Sequence, residues 1–246
     1  MKFSLRLNND LTVRDYVRLA QLAEEARFDQ FWVSNDLFLR SAPVILTAVA
    51  VATQKIEIGT CILNPYTIHP AEMAMLAATL DEASGGRFNL GLSSGAGEFL
   101  AWVGIQAAHP RTAVIETVKQ IRRLFDGQRA ALDGAFLNWT EEAYLRFKAL
   151  RRVPVYIGAM SPRMLGEIGA IADGGLPLLF PPEHYRAIMP YIQEGAQRAG
   201  RSVDEIDVAA CIWCSISDDK ERAEDALREK IAYYGPALSP MILEAL

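Results

Sequence analysis

From Lys55 to Gly95 the chain runs a short apolar β-type segment, Ile56 to Leu63, into a break at Asn64-Pro65-Tyr66. A helical stretch follows, Ala71 to Ala83, closed by Ser84-Gly85-Gly86. A second β-type segment, Arg87 to Leu92, ends in the small residues Ser93-Ser94-Gly95-Ala96-Gly97. This is a β-α-β unit, and two parallel strands joined by a helix need a sheet that is covered on its faces. In such sheets the sites lie at the strand ends. The unusual residues of this stretch also fall at the ends of both strands.

The rest of the chain repeats the alternation. Residues 2–7 alternate apolar and polar side chains and predict a first strand. Thr12 and Asp15 have the spacing of a capping box, opening a helix to about Ala26. Gln30 to Ser34 reads as a second strand, and Ala42 to Thr53 as a helix with Pro43 in its first turn. Arg111 to Phe125 is an amphipathic helix. Residues 128–152 read as an insertion, with a hairpin turn around Asp133-Gly134. Val153 to Ala159, Leu176 to Phe180 and Asp207 to Ile216 are the fifth, sixth and seventh strands. Helices are expected from Arg163 to Ala172, from Pro181-Pro182 to about Ala199, and from Asp218 or Asp219 to about Tyr234. A further helix start stands at Ser239-Pro240.

This order predicts one α/β domain over residues 1–246, of the (β/α)8 TIM-barrel type, with the eighth strand missing from the chain. A doubly wound open sheet is the second possibility. No GxGxxG follows the first strand, which weighs against a dinucleotide Rossmann fold.

Composition narrows the partners. A net charge of −5 and a pI near 5.3 exclude a basic surface for nucleic acid. No uncharged apolar run reaches the length of a membrane span, and the first residues lack the apolar core of a signal peptide. Three cysteines fit a cytoplasmic protein without a disulfide framework. Cys211 and Cys214 have CxxC spacing, but three positions apart on a strand they face opposite ways, so inert thiols are expected. No His/Cys/Asp spacing predicts a metal site.

Several positions suit a bound small molecule. Ser93, Ser94, Gly95 and Gly97 offer backbone N–H groups to an anion or a polyol chain. Gly158, Ala159, Met160 and Ser161 lie between the fifth strand and its helix, where N–H groups attract phosphate and Gly158 permits close approach. Trp32 and Trp213 are expected in the core, and His109 and His184 on the surface.

The stretch IGTCILNPYTIHPAEMAMLAATLDEASGGRFNLGL, with Gly59, Asn64-Pro65-Tyr66, His69-Pro70, Thr79 to Glu82, Ser84, Gly86 and Arg87, resembles the bacterial luciferase-like superfamily. Within it the chain is most similar to deazaflavin-dependent reductases of the methylenetetrahydromethanopterin reductase type. A second match is VPVYIGAMSPRMLGEIGAIADG, Val153 to Gly174. The resemblance implies an oxidoreductase that passes a hydride between coenzyme F420 and a small organic substrate, in homodimers. It also implies a non-prolyl cis peptide at Cys61-Ile62. Cys61, Ile62 and Asn64 would support the ring, while Asp36 and Glu98 would be the catalytic carboxylates. The alternative for Asp36 is a helix cap, and for Glu98 a surface residue opening a helix. His69 is expected to shape its loop. Relatives often follow the acid with His, where this chain has Leu37. The alternatives to F420-dependent chemistry are an FMN-dependent monooxygenase of the same fold and a barrel that binds flavin without turnover.

Overall fold

The computed structural model describes residues 1–177 and 184–235. The chain forms two compact units. The first holds Met1–Gly95 and Phe99–Tyr156, and the second holds Ala96–Glu98 and the chain from Ile157 onward.

In the first unit, strands β1 (Ser4–Leu7), β2 (Gln30–Val33), β3 (Glu57–Thr60) and β4 (Phe88–Leu92) lie side by side in that order, all parallel. Helices α1 (Val13–Glu25), α2 (Ala42–Ala52) and α3 (Pro70–Ala83) connect them, as the alternation predicts. β2 and β4 are buried along their whole length, which is why they read as continuous apolar runs rather than alternating ones.

Local chemistry sets the helix starts. Thr12 and Asp15 cap α1 reciprocally. His69 accepts the Ala71 N–H on Nδ1 at 3.2 Å and opens α3, with Pro70 at its first position. The loop-shaping role expected of His69 is therefore a helix N-cap.

The face of the sheet shared by Gln30 and Trp32 is polar at its lower end. Gln30 Oε1 accepts from Ser4 Oγ at 3.0 Å and from Trp32 Nε1 at 3.1 Å. Glu57 Oε2 accepts from Gln30 Nε2 at 2.8 Å and from Asn89 Nδ2 at 2.9 Å. The Trp32 ring crosses Gly59 so closely that a Cβ there would lie 2.3 Å from it, and it meets Tyr156 edge-on at 5.0 Å.

Two charged side chains fasten the α2–β3 connection. Arg87 donates to the carbonyls of Ala50, Thr53 and Ile56 at 2.7–3.0 Å. Glu24 accepts the N–H groups of Gln54, Lys55 and Ile56. Burial would raise the Glu24 pKa, but these three bonds, helped by the charge of Arg87, together hold it below the ordinary carboxylate value. A carboxylate with a depressed folded pKa stabilises the fold above its unfolded pKa and loses that contribution as pH falls through the folded pKa. Glu24→Gln is therefore expected to flatten the acid limb of a stability-versus-pH curve below about pH 4.5 while leaving the neutral-pH slope unchanged. Urea midpoints measured across that range check this.

After β4 come α4 (Gly97–Ala101), α5 (Pro110–Phe125) and a small antiparallel hairpin, β5 (Leu132–Asp133) with β6 (Asn138–Trp139). Its turn rests on Glu116 of α5, whose carboxylate accepts from Ala135, Phe136 and Leu137 at 2.8–3.0 Å.

Strand β7 (Val155–Ala159) begins in the first unit and ends in the second. In the second unit it is followed by α6 (Pro162–Ile171), β8 (Gly174–Pro177), α7 (Tyr185–Arg198), β9 (Asp207–Val208) and α8 (Lys220–Tyr234). The Asp219 side chain caps α8. Three expectations change here. The strand expected over Leu176 to Phe180 is β8, from Gly174 to Pro177, and residues 178–180 lie outside the described residues. Pro181-Pro182 and Ser239-Pro240 also lie outside them. The strand expected over Asp207 to Ile216 stops at Val208, and Ala209 makes one further ladder bond, to Gly175 at 2.9 Å. An apolar run makes a strand only where a neighbour accepts its backbone, and among the described residues, residues 210–217 have no strand pairing. Among the described residues there is no eighth strand of the alternating series.

Candidate functional site

The upper end of β3 is irregular in a specific way. Glu57 and Cys61 donate their N–H groups toward β2, to Asp29 and Val33, while Ile58 donates toward β4, to Arg87. Regular alternation would send Leu63 toward β2 as well. Leu63 instead donates to Gly91 at 2.9 Å and accepts from Ser93 at 3.0 Å. The register therefore slips by one residue between Cys61 and Leu63, which is a bulge. The Cys61-Ile62 peptide bond within it is cis, as the resemblance implies. Cys61 and Leu63 are buried, and Ile62 is half-buried between them.

The chain then turns on Asn64. Its Oδ1 accepts the N–H groups of Tyr66 at 3.1 Å and Thr67 at 3.0 Å, an Asx turn that leaves Pro65 a fixed corner. Gly95, at φ +73°, presses on this turn, since a Cβ there would stand 3.3 Å from the Asn64 side chain. Ser93, Ser94 and Gly95 are half-buried, so the β3 bulge and the β4 loop form adjoining walls.

Asp36 stands after the β2 end, half-buried. At the start of α2 the Ala42 N–H is accepted by Asn35 Oδ1 at 3.1 Å. The backbone of Asp36 is held by Asn9, which accepts its N–H at 3.2 Å and donates to its carbonyl at 3.0 Å. Asn9 is fully buried and also donates to the Arg40 carbonyl at 2.7 Å. Sequence reasoning missed Asn9; its signal is an Asn placed directly after an alternating strand. It missed Arg6 as well, a charged residue inside β1. Burial raises the Cys61 thiol pKa, the hydrogen-bonded Arg6 guanidinium acts against that, and the charge of Asp36 adds to it. Cys61 is therefore a protonated thiol at neutral pH, and Arg6, Asp36 and Cys61 belong to one electrostatic cluster. Ser34, on the β2 end, is fully buried, and among the described residues its hydroxyl has no hydrogen-bond partner.

The remaining expected residues lie in the second unit. Glu98 is exposed on α4, consistent with a surface residue opening a helix. Gly158 and Ala159 are buried at the end of β7, and Met160 is half-buried. Ser161 is exposed and precedes Pro162 at the start of α6, without a side-chain cap. The first turn of a helix leaves N–H groups unsatisfied, which suits an anion.

In the first unit, a flat ring fits what is present. The bulge offers buried apolar groups beside a half-covered Ile62, and the half-buried Gly95 packs against the Asn64 side chain next to it. Among the described residues no group of three His, Cys, Asp or Glu side chains could hold a metal ion, and no helix is long and apolar enough to cross a membrane. Cys61, Cys211 and Cys214 are free thiols.

Comparison with known proteins adds three findings. The family model described as luciferase-like monooxygenase matches residues 2–242. The 5,10-methylenetetrahydromethanopterin reductase of Methanolobus tindarius is 33% identical over 244 residues, covering 99% of this chain and 74% of that protein. Two solved structures superpose closely. The coenzyme F420 dependent tetrahydromethanopterin reductase from Methanopyrus kandleri has a TM-score of 0.88 at 32% identity, over 94% of this chain and 71% of its own. An F420-dependent secondary alcohol dehydrogenase in complex with an F420-acetone adduct has a TM-score of 0.84 at 26% identity, over 93% of this chain and 74% of its own. The fold is thus α/β of the TIM-barrel type, and the doubly wound alternative is set aside.

Proposed function

Since the chain belongs to the luciferase-like monooxygenase family, we propose that it is an F420-dependent oxidoreductase acting on a small organic molecule. The observation that carries this reading is the β3 bulge beside the Ser93–Gly95 loop, in a chain similar along almost its whole length to a reductase of this type. The deazaflavin, when bound, supplies the hydride donor or acceptor. Cys61, Ile62 and Asn64 hold the ring from one side. Ser94 and Gly95 offer N–H groups along its edge, beside Ser93, whose own N–H is donated to Leu63. In the second unit, Gly158, Ala159, Met160 and Ser161 are the residues proposed to take an anion such as a phosphate. The apolar surroundings of the bulge keep water from the ring.

To Asp36 we assign the holding or delivery of the proton that accompanies hydride transfer. Its backbone is pinned by Asn9, so its carboxylate has a fixed origin. Glu98 is the second proposed carboxylate. The protein acts in the cytoplasm, a reading supported by its free thiols.

A homodimer completes the proposal. Helix α2, APVILTAVAVA, has no charged residue, and its outward Val44 and Val51 are 60% and 68% exposed. An outward helix face on which valines flank the single polar Thr47 is apolar enough to suit a contact surface. Val51→Lys together with Val44→Lys is expected to convert a dimer to a monomer in sedimentation analysis. A dimer that survives both changes places the interface elsewhere.

Cofactor choice is tested by titrating the purified protein with F420 and with FMN, following visible absorbance and fluorescence. Saturable binding of F420 with at least about tenfold preference over FMN supports the proposal. Preference for FMN supports the monooxygenase, and binding of neither removes the oxidoreductase reading.

A further inference from the structure

The loop from Gly95 to Ala108 is anchored at both ends on the same turn. Gly95 lies against the Asn64 side chain, and the Ala108 carbonyl accepts from Tyr66 Oη at 2.7 Å. Its middle is ordered around Leu100, which is 2% exposed. The Leu100 carbonyl accepts from Val103 at 3.2 Å and Ile105 at 3.0 Å, and the Ala101 carbonyl accepts from Gly104 at 3.0 Å. This scaffold holds Trp102 and Val103 outward, 54% and 41% exposed. Phe99 stands against Trp102 with ring centroids 4.8 Å apart, tilted by 49°. Residues 99–108, FLAWVGIQAA, carry no charge.

Phe99, Trp102 and Val103 lie together as an apolar patch on a loop fastened at several points, and a contiguous apolar patch marks a binding surface. We infer that the Phe99–Trp102 pair is an apolar wall on the substrate side of the site, and that the substrate carries a flat, uncharged apolar portion which lies on the Trp102 ring. Its two anchors are on the Asn64–Tyr66 turn, which directly follows the proposed ring support, so the wall is continuous with that site. An uncharged wall gives an ionic ligand no partner, whereas an aromatic face gains both from area burial and from ring geometry. The word substrate here rests on the oxidoreductase reading above; the binding of a planar apolar ligand does not.

The probe is 2-naphthol, whose binding is measured by equilibrium dialysis with the full chain, alone and with F420. Trp102→Ala is expected to weaken 2-naphthol binding about tenfold, Trp102→Phe to leave it within about twofold, and Trp139→Phe to leave it unchanged. F420 binding is expected to be the same in all of them. Loss of 2-naphthol binding in Trp102→Ala in a protein that binds no F420 upholds the wall and overturns only the cofactor assignment. Unchanged 2-naphthol binding in Trp102→Ala overturns the wall. Unchanged probe binding together with dissociation of a dimer overturns it too and makes the patch a contact between copies.

Discussion

Gly195→Ala is expected to unfold the packing of α6 against α7. A Cβ at Gly195 would stand 1.9 Å from the Gly166 carbonyl oxygen and 2.9 Å from its Cα. On the other side of the crossing, a Cβ at Gly169 would stand 2.0 Å from the Ile192 oxygen and 2.5 Å from the Ala196 nitrogen. These neighbours are backbone, so no side chain can rotate away. The two helices must separate, and Ile168, Ile188 and Ile192, all fully buried, lose their contacts. The cost is about 3 kcal/mol or more, toward the upper end of overpacking changes. For a chain of this size that lowers Tm by roughly 6–12 °C. Gly235→Ala is the control, because among the described residues nothing lies within 4 Å of its Cβ position and its φ of −47° is ordinary. Thermal unfolding of both variants decides the point, and a Tm for Gly195→Ala equal to the natural chain refutes the close crossing.

Asp81→Ala carries the second large effect. Asp81, only 1% exposed, takes Arg151 on both carboxylate oxygens, with Nη2 at 2.9 Å and Nε at 3.2 Å. It also accepts the Phe88 N–H at 3.2 Å, and Arg151 donates to the Phe88 carbonyl at 3.0 Å. The pair thus fixes the start of β4, whose far end carries the Ser93–Gly95 loop. Removing the acid leaves a buried N–H unpaired and a guanidinium without its partner. Breaking a buried pair costs about 3–5 kcal/mol. Arg151 keeps 37% of its side-chain surface in solvent and can turn toward water, so the lower end of that range, about 3 kcal/mol, is expected. Asp81→Asn keeps an acceptor for Phe88 and should lose less. Denaturant midpoints check the order natural, Asn, Ala; equal midpoints contradict the role given to the pair.

The helices and the first strands were legible because their signals are local. Thr12 with Asp15, Pro43, and the pair Asp218 and Asp219, of which Asp219 is the cap, mark helix starts whatever the surroundings. The β3-α3-β4 unit was readable for the same reason, and the cis bond followed from the family pattern at Cys61-Ile62. What the sequence hid depends on distant partners. Asn35 supports α2 because the β2 loop returns toward Ala42. Asn9 gains its role from a loop 27 positions away. Residues 128–152 had no clear period because their hairpin is held by Glu116 from α5 rather than by its own side chains. Residues 210–217 have a strand's composition, and among the described residues nothing pairs with them as a strand. Gly166, Gly169 and Gly195 look like ordinary helix residues until α6 and α7 are laid together.

A crystal structure of the protein with F420 tests the central claim most directly. The account predicts the deazaflavin ring seated on the Cys61–Leu63 bulge, its edge facing the backbone of Ser93 to Gly95. A ring bound away from that bulge, with Ile62 and Gly95 untouched by the ligand, contradicts it.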